Sequence, residues 1–244
     1  MINLWEGFEI LPSHVNDDGL VDYEGLSKNL EFKIFVGELN GFDISKLKTD
    51  SERKAFFINL YNTYTHSLGV IDGNYKRVSE IKKIPGIGKK ILKHKFFNFR
   101  KNPISLNYIE KILRTIKDPR IHSAIVSASL SAPPLRQEAY LPDKLEMQLN
   151  GQMMRFCIQP YVVHVGKKRK SVFGKKIDTL RVSPIFKWVE DDFKVKPFNG
   201  VERTIKKYTD FSIRKCMEGP VKLEYQGYDW TWNSQSQGKV REIF

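Results

Sequence analysis

The sequence predicts an α+β protein: one compact domain over residues 1–244, with a mostly helical N-terminal half and a small antiparallel sheet. Three observations lead there. Apolar residues recur at helical spacing through the first half, and Ser, Asp or Pro stands before several of the runs. The clearest strand-like runs lie after residue 158, around a Gly- and Lys-rich turn. A content of 41% hydrophobic and 28% charged residues is that of a globular chain with enough length to bury a sizeable core. No internal repeat and no long Pro/Gly/Ser-rich linker divides the chain.

Residues 1–24 read as a short helix and a turn at Asn16-Asp17-Asp18-Gly19. That turn lacks the alternating acidic ligands and closing Glu of a calcium loop. Residues 25–40 read as a helix with Leu26, Leu30, Phe35 and Leu39 along it. Asp50-Ser51-Glu52 opens a long helix to about Val70, with Phe56, Phe57, Leu60, Tyr64 and Leu68 on its apolar face. Ser105 can cap a helix over 106–115, with Ile109, Ile112 and Leu113 as its core stripe. Pro142-Asp143 opens a helix to about Phe156. Val162–Val165 and Ser171–Phe173 read as a strand pair around the basic tip Gly166-Lys167-Lys168-Arg169-Lys170. Short helices follow over 186–193 and 202–217, and Val221–Tyr225 is a late strand.

The formal charge is +13, from 41 Lys and Arg against 28 Asp and Glu. It concentrates between Lys82 and Lys101 and between Lys167 and Lys176. Such clusters suit an acidic protein or weak nucleic-acid contact, or serve only as a solvated face. Ile84-Pro85-Gly86-Ile87-Gly88-Lys89-Lys90 resembles the hairpin of helix-hairpin-helix DNA binders, in which Gly amides and a Lys meet phosphate. A second such hairpin is absent. Cys157 and Cys216 have no metal-ligand spacing and make no disulfide framework, which fits a reducing compartment. No apolar stretch approaches the ~20 residues of a membrane helix, and the N-terminus lacks a signal-peptide pattern. A cytoplasmic protein without a metal or cofactor is the expectation.

The densest chemistry lies in Asp118–Arg136. His122 precedes Ser127 by five residues, and small side chains (Ser127, Ala128, Ser129, Ser131, Ala132) run to the rigid Pro133-Pro134 exit. His and Ser form a base and nucleophile pair if the fold brings them within about 3 Å. Elsewhere, Asn59, Asn62 and His66 share a helix face. The two amides either orient a substrate or the His, or cap a neighbouring loop. Glu110 lies near Ile109 and Leu113, so its carboxylate must find a partner. That partner is His122 or a surface cation such as Lys111 or Arg114.

The segment 118–136 also resembles the signature of the family called domain of unknown function 547. The resemblance continues in Ala55-Phe56-Phe57-Ile58-Asn59-Leu60-Tyr61-Asn62, in Gly19–Tyr23, and in Ile104–Glu110. It extends through Leu180–Trp188 to Asp192-Phe193, and to Leu223–Tyr225 with Tyr228-Asp229-Trp230, so it spans nearly the whole chain. It implies a cysteine hydrolase of a Glu-His-Cys type, and that triad in turn suggests a papain-like or transglutaminase-like fold. Carried over by motif, the set falls on Glu110, His122 and Ser127, with Asn59, Asn62 and Asp229 as substrate-binding candidates. Here Ser127 stands at the first family Cys and Ala132 at the second. The expected function is therefore hydrolase or acyl-transferase chemistry on an amide or peptide-like substrate. The substituted nucleophile leaves an inactive relative, a changed nucleophile or an engineered variant open. The rival is a non-catalytic binding module for an acidic partner, including nucleic acid.

Overall fold

The computed structural model describes residues 2–71, 97–99, 102–166, 169–170 and 176–237. The hairpin-like motif at Ile84–Gly88, the 82–101 cluster apart from 97–99, and Lys167, Lys168 and Lys175 lie outside the described residues.

The central element is α4 (Asp50–Ile71). Its start is a reciprocal capping box: Thr49 Oγ1 accepts from the Glu52 amide at 3.1 Å, and the Glu52 carboxylate accepts from the Thr49 amide at 2.8 Å. From Ala55 to Leu68 every residue of α4 is buried. A helix covered all round must satisfy its polar side chains internally. Thr65 and Ser67 do so by bonding back to Tyr61 and Tyr64 carbonyls.

Around α4 pack α1 (Leu4–Phe8), α2 (Tyr23–Lys28), α3 (Leu30–Leu39) and α5 (Leu106–Arg114). Where one helix was expected over 25–40 there are two. Asn29 breaks the run with an extended backbone, and its side chain accepts from the Phe32 amide to start α3. Ser105 caps α5 as expected. α6 (Ile121–Ala124) is one turn, and α7 (Leu145–Cys157) follows.

The second half is the sheet. β3 (Val163–Val165) and β4 (Arg169–Lys170) pair antiparallel along one edge of β5 (Lys176–Val182). The partner of β3 is β5, with Val163 opposite Val182, rather than the expected 171–173, which falls outside the described residues. β6 (Val221–Tyr225) lies on the other edge, parallel to β5, with Leu180 opposite Leu223. The expected antiparallel sheet thus has one parallel pair. The reason is the long crossover through α8 (Ile185–Trp188), a 3₁₀ turn (Glu190–Lys194), α9 (Val201–Tyr208) and α10 (Phe211–Cys216), which returns the chain to the same end. Asp210 caps α10 and splits the helix expected over 202–217. A separate hairpin joins β1 (Phe97–Phe99) and β2 (Asn102–Ile104).

α7 ties the halves together. Leu145 and Leu149 enter the core around α4, while Met153, Phe156 and Cys157 enter the core under the sheet. No helix among the described residues is long and apolar enough to cross a membrane.

Candidate functional site

Three side chains on successive turns of α4 hold three distant segments. Asn59 donates to the Tyr140 carbonyl at 2.8 Å and accepts from the Tyr140 amide at 2.9 Å. Asn62 donates to the Ala124 carbonyl at 3.0 Å and accepts from the Val126 amide at 2.9 Å. His66 Nδ1 lies 2.7 Å from the Asn62 carbonyl, and its Nε2 is 3.4 Å from Asn233 Nδ2. Tyr23 stacks on the His66 ring and donates to Asn233 Oδ1. Burial lowers the His66 pKa to about 4, despite its bond to the Asn62 carbonyl, so the ring is neutral near pH 7. Both asparagine amides are spent on backbone. They hold the chain at Tyr140 and, through 124–126, between His122 and Ser127, which is the loop-capping arrangement of the two open for them.

The His122 segment enters through a buried ion network. Arg120 forks onto Asp118 at 2.9 and 2.8 Å and reaches Glu146, and Lys54 also pairs with Asp118. Burial opposes the Asp118 charge, but bonds from Arg120 and Lys54 outweigh it and hold the carboxyl below its usual range.

His122 is nearly fully buried in α6. Its Nε2 lies 2.7 Å from Asp192 Oδ2, in the 3₁₀ turn after α8. Arg114 of α5 clamps the same carboxylate, with Nε at 2.7 Å and a terminal nitrogen at 2.9 Å. The His122 bond, with Arg114 adding to it against burial, lowers the Asp192 pKa to about 2. Asp192 is therefore ionised at neutral pH and orders the imidazole. Among the described residues His122 Nδ1 has no hydrogen-bond partner.

Glu110 makes no hydrogen bond to His122 among the described residues. Its carboxylate lines a shallow depression on α5 with Asn107, Lys111, Arg114 and Thr115. There it acts on Arg114, and it adds to the burial that raises the Tyr61 phenol. The orienting carboxylate is Asp192, 70 residues from His122 in sequence.

After Val126 the chain turns sharply. Ala128 has φ 56°, a left-handed conformation in which a side chain costs about 1 kcal/mol or more. Residues 128–131 then pair with the C-terminal segment: Leu130 N–H to Thr231 O, Ser131 N–H to Asp229 O, and Asn233 N–H to Ala128 O. This brings Tyr228 against the turn. Its hydroxyl lies 3.0 Å from Ser127 Oγ and 2.8 Å from Ser129 Oγ, and the two serine oxygens are 3.1 Å apart. Burial raises the Tyr228 pKa, so the phenol is neutral near pH 7. Ser127 is half-buried and makes no hydrogen bond to His122 among the described residues. Asp229 accepts from the Thr231 amide at 2.9 Å and shapes this turn.

Position 132 differs. Ala132 is fully buried in a third apolar cluster with Val21, Leu26 and Val126. A side chain there meets core, whereas position 127 reaches the surface. Of the two thiols, Cys157 is buried, which raises its pKa, and Cys216 is half-buried. Among the described residues no group of His, Cys, Asp and Glu can hold a metal ion.

Residues 44–157 match the family described as protein of unknown function, DUF547. The matched span is narrower than the nearly whole-chain resemblance read from the sequence. It covers α4 through α7, including the asparagine clamps, the Asp118–Arg120 network, His122 and Ser127. Asp192, Tyr228 and Asp229 lie beyond the DUF547 match. No curated protein and no solved structure matches the chain.

Proposed function

We propose that this protein is a substituted relative of acyl-transfer hydrolases that keeps the site as a binding pocket for an amide- or peptide-like ligand, with little or no turnover. The state of Ser127 carries the reading. Its hydroxyl is engaged with Ser129 and Tyr228 and is not hydrogen-bonded to His122 among the described residues. A serine alcohol without a base is a poor nucleophile. The Asp192–His122 pair supports descent from a catalytic site, because a carboxylate ordering a buried imidazole is the base half of a triad. The hydroxyls of Ser127, Ser129 and Tyr228 can each donate to or accept from an amide.

The test is turnover of a panel of activated amides and esters by the wild type and by Ser127→Cys. The wild type should match the buffer rate. Ser127→Cys should gain turnover that His122→Ala removes. Wild-type turnover abolished by Ser127→Ala would make the protein an active serine enzyme and overturn the silent-site reading.

A further inference from the structure

Beside the hydroxyl cluster stands a wall of three aromatic rings. Trp188 is 53% exposed and Trp230 is 37% exposed, large values for residues that bury well. Their planes lie 19° apart with centroids 6.0 Å apart, so the two indoles are nearly parallel. Tyr228 is tilted against both, at 5.0 Å from Trp188 and 4.5 Å from Trp230. The same Tyr228 holds Ser127 and Ser129 through its hydroxyl. Trp188 ends α8, immediately before the turn that carries Asp192. The wall is therefore joined to both parts of the candidate site.

Two properties limit what fits this wall. The indoles offer a flat apolar surface, which suits a ring or another flat apolar group. Their polar atoms are donors only, and among the described residues neither indole N–H is hydrogen-bonded. An ordinary peptide laid against the wall brings backbone N–H groups that the indoles cannot accept. A proline residue brings a flat ring and a carbonyl but no N–H. Consecutive prolines also hold an extended left-handed helix before binding, so little chain order is lost.

We infer that Trp188, Tyr228 and Trp230 form a subsite for a proline-containing extended segment of a peptide ligand. The inference rests on the peptide-like ligand proposed for the Ser127 site and names the part of that ligand lying beside it. Proline rings stack on the indoles, the indole N–H groups donate to its carbonyls, and the adjoining amide reaches the Ser127–Ser129 hydroxyls.

The experiment titrates the full chain with a proline decamer, with its alanine counterpart and with a linear oligosaccharide, following tryptophan fluorescence and calorimetry. The decamer should bind saturably and at least tenfold more tightly than the alanine peptide. Trp188→Ala and Trp230→Ala should each weaken it at least tenfold, and Trp188→Phe, which keeps a ring but loses the N–H, should fall between. Both positions are exposed, and thermal melts of the variants should overlay the wild type. In a Ser127→Cys background the decamer should also slow iodoacetamide labelling of the new thiol. Absence of saturable decamer binding, equal binding of the alanine peptide, preference for the sugar, or indifference to both tryptophan variants overturns the proline subsite. The labelling reaction without peptide separates the two ideas. His122-dependent labelling without decamer binding sinks the subsite alone, whereas labelling indifferent to His122 sinks the reading of the site beneath it.

Discussion

Replacing Asn62 by Ala removes both bonds that fix the chain between α6 and Ser127. The orphaned groups are the Ala124 carbonyl and the Val126 amide, and both residues are only 1% exposed. A buried polar group left unpaired costs about 1–3 kcal/mol, and the truncated side chain leaves a small void besides. Some relaxation is expected, so the loss should be about 3 kcal/mol. In a chain of this size that corresponds to a fall in Tm of roughly 6–12 °C. Asn62→Asp keeps an acceptor for the Val126 amide but turns an oxygen toward the Ala124 carbonyl, so at pH 7 it should do no better. Urea denaturation followed by circular dichroism measures the change. A loss below about 1 kcal/mol for Asn62→Ala would show that the clamp does not hold the loop, and the positioning role assigned to Asn62 would fall with it.

Other perturbations read the same architecture. His66 is neutral when folded, with a pKa of about 4 against an ordinary 6.5, so the unfolded chain binds the extra proton between those values. Its contribution is complete above pH 6.5 and is lost as pH falls toward 4, by about 3 kcal/mol; His66→Gln should flatten that part of the pH–stability curve, and an unchanged slope would refute it. Arg120→Met strands the buried Asp118 with Lys54 alone and should cost about 3 kcal/mol by urea denaturation, whereas a loss under about 1 kcal/mol would mean that Lys54 suffices. Asp192 is held ionised down to a pKa of about 2, so its bonds to His122 and Arg114 should persist above pH 4 and weaken as pH falls from there toward 2. Nuclear magnetic resonance of the His122 ring checks this, and a carboxyl titrating at its ordinary value would contradict the clamp.

Much of this was legible from local pattern. The long helix, its acidic start, the Ser105 cap and the His122–Ser127 segment all lie in spacings of a few residues, which periodicity and capping chemistry report. The shared face of Asn59, Asn62 and His66 was also readable, but a shared face does not name what lies opposite. Clamps on Tyr140 and on 124–126 and contacts to a ligand are therefore equally compatible with that face. The partner of His122 has no local signature. Glu110 and Asp192 are both carboxylates in family-like motifs, and only the crossover after β5 brings Asp192 to the imidazole. The contact of Tyr228 with Ser127 is hidden for the same reason: a separation of 101 residues leaves no local signal. The direction of β6 was equally hidden, because alternation within a strand is the same for parallel and antiparallel neighbours.

The most direct test of the site is the acidity of a thiol placed at position 127. The pH dependence of iodoacetamide alkylation in Ser127→Cys gives its pKa, with Cys157 and Cys216 replaced by Ala to remove competing signals. An ordinary thiol titrates near 8.5, and a neighbouring imidazolium lowers that value. The account predicts a pKa at least about one unit below 8.5 that returns toward 8.5 in Ser127→Cys/His122→Ala and moves part of the way in Ser127→Cys/Asp192→Asn. An ordinary pKa, indifferent to both His122 and Asp192, would contradict it.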